Sequence, residues 1–160
     1  MATKNNNLSD YNKDTLPNVS NLKFGIVVSQ WNKEITEGLY KGAYCTLIDC
    51  GVLEQNIIKL EIPGSFELIF GAKILSRKDV DAIICLGSLI QGETKHFDYV
   101  CQAVSNGIKD LNISLDIPVI FGVLTDTTID QAINRSGGKH GNKGIEAAIT
   151  AIKMADLNQN

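Results

Sequence analysis

Along the chain the apolar positions switch between short continuous or alternating runs and stripes spaced by three and four residues. Leu22 to Ser29 is a short β-branched run ending in a polar turn, which predicts a buried parallel strand. Ile35, Leu39, Ala43 and Leu47 then recur every four residues. Asn32 is placed to cap that helix, Glu34 and Glu37 suit its first turn, and Gly51 predicts its stop. Ile57 to Ile62 alternates Ile58, Leu60 and Ile62 with Lys59 and Glu61, the pattern of an edge strand. Pro63-Gly64 breaks the run, and Ser65 is the expected cap of a second helix reaching about Arg77. Phe66, Leu68, Ile69, Phe70, Ile74 and Leu75 leave that helix apolar on nearly all sides, more than one sheet face covers, so a subunit interface is expected. Ala82 to Gly87 is continuously apolar and predicts a central strand.

A loop from Ser88 to His96 follows, then a helical stripe of Phe97, Val100, Cys101, Val104, Ile108 and Leu111. Pro118 to Leu124 is the fourth strand, its proline at a tolerated position. Thr128 and Gln131 form a capping box for a short helix ending near Arg135. A loop from Ser136 to Gly141 leads to a last helix carrying Ile145, Ala148, Ile149, Ile152 and Ala155 on one side. Strands alternating with helices at this spacing imply α/β architecture, a parallel sheet covered on both faces. The strand-to-helix loops then share one sheet edge, where ligands of open parallel sheets bind.

Composition narrows the class. The chain has 160 residues, 44% of them hydrophobic and 21% charged, which suits one ordinary domain with a real core. Residues 1–20 are polar and read as a flexible tail; 21–158 read as the single domain. No apolar run approaches the ~18 residues needed to cross a bilayer, and no secretory h-region is visible, so a cytoplasmic protein with no membrane partner is expected. A formal net charge of −3, with lysines spread out, offers no field for nucleic acid. Cys45, Cys50, Cys85 and Cys101 all lie in apolar patterns without a C-x-x-C pair and are expected to be reduced core residues. With His96 and His140 as the whole imidazole supply, no metal site is expected.

The predicted edge gathers Gln30, Trp31 and Asn32 from the first loop, Gly64 to Glu67 from the second, Ser88 to His96 from the third, and the loop after Phe121. Aromatics, hydroxyls, a carboxylate and a histidine suit a planar heterocycle with a polyhydroxy tail. Plainer roles stay open for each. Trp31 stacks on a ligand or packs at a strand end; Glu67 serves a site or the helix dipole. Gly87-x4-Gly92 has a phosphate-loop spacing, but Glu93-Thr94 stands where a Walker motif needs Lys-Ser or Lys-Thr, so a nucleotide triphosphatase is not expected. His96, at a helix start, is either a proton carrier or a surface residue, with Phe97 beside it free to face the core. Arg135 is either a phosphate fork or a solvated helix end.

Three motifs, Ile62 to Glu67, Gly87 to Tyr99, and Arg135 to Gly144, closely resemble the lumazine synthase family of riboflavin biosynthesis, and the likeness runs in order from about Leu22 to Leu157. The resemblance implies a flavodoxin-like three-layer α/β/α sandwich with a four-stranded parallel sheet. It also implies an enzyme, a transferase, that joins 5-amino-6-(ribitylamino)uracil to 3,4-dihydroxy-2-butanone 4-phosphate, giving 6,7-dimethyl-8-ribityllumazine. No cofactor is implied.

Carried over by motif, Trp31 takes the aromatic stacking position, with Asn32 following as in the family. Ser65, Phe66 and Glu67 match the segment holding the ribityl chain and pyrimidine edge, and Ser88, Leu89 and Ile90 the loop whose backbone reads the ring. Glu93 and Thr94 match the helix-start amides that bind phosphate, although the family often has alanine at the first of these. His96 matches the proton-transfer residue. Phe121, Arg135, Lys143 and Glu146 match residues the family brings from a neighbouring subunit or to the rim. The resemblance thus implies a homo-oligomer, a pentamer, with sites between subunits. The uninterrupted stretch from Arg135 to Gly144 leans toward an icosahedral shell. A riboflavin synthase of the archaeal type and a noncatalytic flavin-binding or scaffold module are the rivals, and His96 together with Arg135 argues against the second.

Overall fold

The computed structural model describes Asn7 and residues 9–159; the rest of the expected tail, residues 1–6 and Leu8, lies outside the described residues, as does Asn160. Four strands, β1 (Phe24–Ser29), β2 (Ile57–Ile62), β3 (Ala82–Ile90) and β4 (Val119–Asp126), form one sheet in the order β2-β1-β3-β4. Every pairing in it is parallel, from Phe24 opposite Ile57 on one side to Ile90 opposite Asp126 on the other. Helices α1 (Lys33–Asp49), α2 (Leu68–Leu75), α3 (His96–Ser114), α4 (Ile129–Arg135) and α5 (Lys143–Gln159) complete the chain. The result is the three-layer, flavodoxin-like α/β arrangement expected, with β2 at an edge and β3 inside.

Alternation along the strands explains the two core layers. Phe24, Ile26, Val28, Ile84, Leu86, Ile120 and Leu124 face α1 and α5, meeting Leu39, Ala43, Leu47, Ala148 and Ile152. Val27, Ile83, Cys85, Val119 and Val123 face the other way, against Leu68, Leu75, Val104, Ile108 and Leu111. On the first face α1 and α5 lie close enough that a Cβ on Gly144 would collide with the carbonyl oxygen of Leu39. Gly51 ends α1 as expected, with φ 94.

Several boundaries depart from expectation. β3 and β4 each run past the sequence-predicted end, so Ser88, Leu89 and Ile90 belong to a strand and pair with Leu124, Thr125 and Asp126. The apolar run stops at Gly87, but parallel hydrogen bonds carry three more residues into the site. The second helix is shorter than expected: Ser65–Glu67 is a 3-10 turn, and α2 ends at Leu75. Ser65 does not cap it; its Oγ is buried without a hydrogen-bond partner. Asn32 does precede α1, in the left-handed region at φ 57, but makes no side-chain cap.

The stretch from Ser136 to Gly141 is a small antiparallel hairpin, β5 (Ser136–Gly138) with β6 (Gly141–Asn142), where a loop was expected. The capping box before α4 is offset: Thr128 accepts from the Gln131 N–H, while Gln131 Oε1 accepts from the Thr127 N–H at 3.1 Å. The four cysteines are free, but Cys85 alone is buried; Cys45 on α1 is exposed, Cys101 on α3 is half-buried, and Cys50, just past α1, is half-buried against the core. Phe97, expected to face the core, is in neither core layer.

Candidate active site

The C-terminal ends of β1, β2 and β3 are stitched together by backbone. Gln30 N–H donates to the Ile62 carbonyl at 2.8 Å and Trp31 N–H to the Pro63 carbonyl at 3.1 Å, so the first loop stays beside the second beyond the end of the strands. Asn32 Nδ2 then donates to the Ser88 carbonyl at 2.9 Å, tying the first loop to the third. Its left-handed backbone, tolerated by asparagine better than by most side chains, is what turns it toward β3. Asn32 therefore fixes the relation between two loops.

These loops and the first turns of α3 enclose a cavity of about 850 Å³. Trp31, Asn32, Ser65, Phe66, Glu67, Ser88, Leu89, Ile90, Thr94 and His96 all line it, bringing together most of the residues expected from the sequence. Trp31 stands 71% exposed and Phe66 54% exposed at its rim, apolar faces that the described residues leave uncovered. Ser65 and Ser88 reach the wall from buried backbone, and the hydroxyl of each has no protein partner. A buried hydroxyl left unpaired is costly, and both oxygens are packed beneath the cavity wall, not open to it.

Between Ile90 and α3 the chain forms an open turn. Among the described residues no partner is recorded for the N–H groups of Gly92, Glu93, Thr94 and Lys95; the His96 N–H makes a 3.4 Å contact to Thr94 Oγ1. Glu93 and Thr94 thus lie in the turn before the helix, whose first residue is His96. Unpaired amides at a helix start form an anion cradle. Glu93 itself is exposed and does not line the cavity.

Gly92, from the expected third loop, also lines the cavity; the sequence reading missed Phe97, Tyr99, Val100 and Ala103, which line it too. A signal existed for three of them. Tyr99, Val100 and Ala103 follow His96 by three, four and seven residues, so they share its face of α3.

Four expected residues lie elsewhere. Phe121 sits in mid-β4, with no loop beside it, and lines a separate depression of about 390 Å³ with Phe97, Cys101 and Thr125. Arg135, Lys143 and Glu146 do not line the 850 Å³ cavity. Lys143 is ion-paired with Glu146 three residues on. Arg135 Nη1 donates to the Gln131 carbonyl at 3.0 Å and lies 3.4 Å from Asp126 Oδ1.

Between them Asn142 is buried and bonded on all sides. Its Nδ2 donates to the carbonyls of Gly38 at 2.8 Å and Ser136 at 3.1 Å, and its Oδ1 accepts from the Gly144 N–H at 2.8 Å. Its own N–H donates to Ser9 Oγ at 3.0 Å. One side chain thereby joins α1, the hairpin and α5. Among the described residues no group of three or more metal-ligating side chains occurs, and no helix is long and apolar enough to cross a membrane.

Comparison with known proteins converges on one family. The profile described as 6,7-dimethyl-8-ribityllumazine synthase matches residues 21–159. A protein of that name from Flavobacterium johnsoniae is 63% identical over 160 residues, 99% of this chain and 84% of its own. One from Christiangramia forsetii is 60% identical, covering 98% of this chain and 95% of its own. A third, from Flavobacterium psychrophilum, is 58% identical over 99% of this chain and 85% of its own.

Proposed function

The chain belongs to the 6,7-dimethyl-8-ribityllumazine synthase family, and on that footing we propose that the 850 Å³ cavity is where its reaction takes place. The reaction joins 5-amino-6-(ribitylamino)uracil to 3,4-dihydroxy-2-butanone 4-phosphate, releases inorganic phosphate and water, and yields 6,7-dimethyl-8-ribityllumazine for riboflavin synthesis. One observation carries the placement: aromatic faces, a histidine and an amide cradle surround a single cavity.

In this reading Trp31 stacks on the pyrimidine. Ser65, Phe66 and Glu67 take the ribityl chain and ring edge, and the strand residues Ser88, Leu89 and Ile90 read the ring through their backbone. The free amides of Glu93 and Thr94 hold phosphate, and the exposed carboxylate of Glu93 points into solvent. The uracil's amino group adds to the ketone carbonyl, and the carbinolamine loses water to give an imine. Loss of an α-proton lets the phosphate ester leave by elimination. The resulting enol becomes a ketone, and the ribityl-bearing nitrogen closes the second ring with loss of a second water.

Each step moves a proton, and His96 is the side chain in the cavity suited to both accepting and donating one. Holding two substrates face to face supplies much of the remaining acceleration. Arg135 grips the departing phosphate from a neighbouring subunit, Lys143 and Glu146 support it at the rim, and Phe121 touches the ring across the interface.

The oligomer is part of the same proposal: a homopentamer, further assembled into an icosahedral shell, with sites between subunits. Support comes from α2, where Phe70 is 62% exposed, and from Tyr99 on α3 at 68%, apolar surface one chain leaves uncovered. Light scattering measures the assembly directly, and a monomer would overturn it. A cytoplasmic location suits substrates that carry phosphate or many hydroxyls and cross membranes poorly. The division into a tail, 1–20, and a domain, 21–158, is supported by the family match beginning at residue 21.

Incubation with both substrates, followed by lumazine fluorescence and phosphate release in equal amounts, tests the placement when repeated on Ser88→Val. That change fills the wall without removing backbone. Retention of parental KM for the uracil would move the site elsewhere.

A further inference from the structure

Asp126, at the end of β4, is buried, and its two carboxylate oxygens are treated unequally. Oδ1 lies 3.4 Å from Arg135 Nη1, while Oδ2 is enclosed with no hydrogen-bond partner among the described residues. A buried carboxylate oxygen without a donor is costly, and a pair kept for stability alone would satisfy both oxygens. Burial pushes the carboxyl upward from its ordinary range, against the opposing pull of Arg135. The chain thus keeps a charge here at a cost to the fold.

The arrangement of Arg135 shows what that cost secures. Nη1 donates to the carbonyl of Gln131, one turn back on α4, and lies within ion-pair range of Asp126 Oδ1, so this end of the guanidinium is turned inward. Among the described residues Nε and Nη2 have no recorded partner. These two nitrogens form the edge of the guanidinium that matches two oxygens of a tetrahedral anion. Asp126 is also fixed from behind: its carbonyl accepts from the Gln91 N–H at 3.0 Å, where the chain leaves β3 for the amide cradle.

We propose that Asp126 is the positioning residue of the phosphate clamp: it holds Nη1 of Arg135 so that the Nε–Nη2 edge is presented, already oriented, to the phosphate of the butanone substrate. This rests on the reading of Arg135 as that clamp. Pre-orientation lowers the rotamer entropy lost when the anion binds. A long arginine side chain released from Asp126 would still carry its charge but would have to be ordered by the substrate.

The test is Asp126→Asn, which keeps the shape and removes the charge, read by steady-state kinetics with each substrate varied in turn. The expected result is a rise of about tenfold in KM for the butanone phosphate and an equal weakening of inhibition by inorganic phosphate. KM for the uracil should stay at the parental value. Asp126→Glu should recover part of the loss, and Asp126→Asn combined with Arg135→Ala should be no worse than Arg135→Ala alone.

If Arg135→Ala itself leaves phosphate-substrate KM unchanged, the clamp assignment fails. If it raises that KM and Asp126→Asn does not, the positioning role alone fails. Equal rises for both substrates, or loss of folding in both Asp126→Asn and Asp126→Thr, would assign Asp126 to the core and overturn the proposal.

Discussion

The cavity between the first three strand ends and the corner formed by α4, the hairpin and the start of α5 handle polar groups in opposite ways. In the cavity the backbone is stitched while the amides from Gly92 to Lys95 are left open, with no partner among the described residues. In the corner the side chains bind one another. Asn142 makes four hydrogen bonds, counting its own N–H, Lys143 pairs with Glu146, and Arg135 is held by Asp126 and Gln131. Open groups on a rigid frame are what a binding site needs, since ligand contacts then replace water without reorganising the protein. A corner whose side chains are tied to one another presents what it carries in one fixed geometry.

Breaking the corner should therefore act first on stability. Asn142→Ala removes the partner of two carbonyls and one N–H in a buried place, and should cost about 3 kcal/mol, lowering the unfolding midpoint in denaturant. An unchanged midpoint would show that water replaces the side chain there and that the corner is not the rigid element described.

Breaking the cavity should act on rate at constant stability. His96→Ala, at an exposed side chain with no recorded protein partner, should lower kcat about 100-fold, leaving the denaturation midpoint at the parental value. Residual activity is expected because proximity survives the change. Complete loss with intact assembly would require a larger role for the imidazole.

Arg135 is the element of the corner proposed to act in the cavity, and it sharpens the comparison. Arg135→Ala should raise KM for the butanone phosphate roughly 30-fold, the worth of a charge-assisted pair, with little effect on the uracil. Where the residue crosses between subunits, mixed assemblies of His96→Ala and Arg135→Ala chains contain some sites with neither change. Activity above that of either parent assembly is the expected result; none, in verified mixed assemblies, would put Arg135 in its own chain's site.

The frame was legible because hydrophobic period alone separates strands from helices here, down to β2 at the edge and β3 inside. Two of the errors share a cause: they lie where hydrogen bonding continues after the predicted element ends. Ser88 to Ile90 pair with β4 although no apolar pattern demands it, and the hairpin after Arg135 is held by backbone and Asn142. The site was legible wherever a motif fixed both residue and neighbours, as at Ser65 to Glu67. It was legible only indirectly for Tyr99 and Ala103, through the α3 face they share with His96, and not at all for Asp126, which looks like any strand-end aspartate until its burial is seen.

The smallest predicted effect concerns how the segment ahead of the domain joins the corner's side of the molecule. Tyr11 Oη donates to Asp49 Oδ2 at 2.8 Å, near the end of α1, two residues after Ser9 accepts from Asn142. Burial, then the bond to Asp49, pushes the Tyr11 phenol up to about 12, and the same bond holds the Asp49 carboxyl below its ordinary range. The signs follow. The Asp49 contribution is present above the ordinary carboxylate range and is lost as pH falls through its lowered value. The Tyr11 contribution is present below the ordinary phenol value and is lost as pH rises toward about 12. Tyr11→Phe removes the Tyr11 contribution and the share of the Asp49 contribution that comes from this bond, leaving the share from Lys13, and at neutral pH should lower the unfolding midpoint only slightly at so exposed a bond. The gap between variant and parent in unfolding midpoint should close in acid below the Asp49 titration. A gap that persists there would mean that the ring's packing, with no help from the hydroxyl, holds the segment in place.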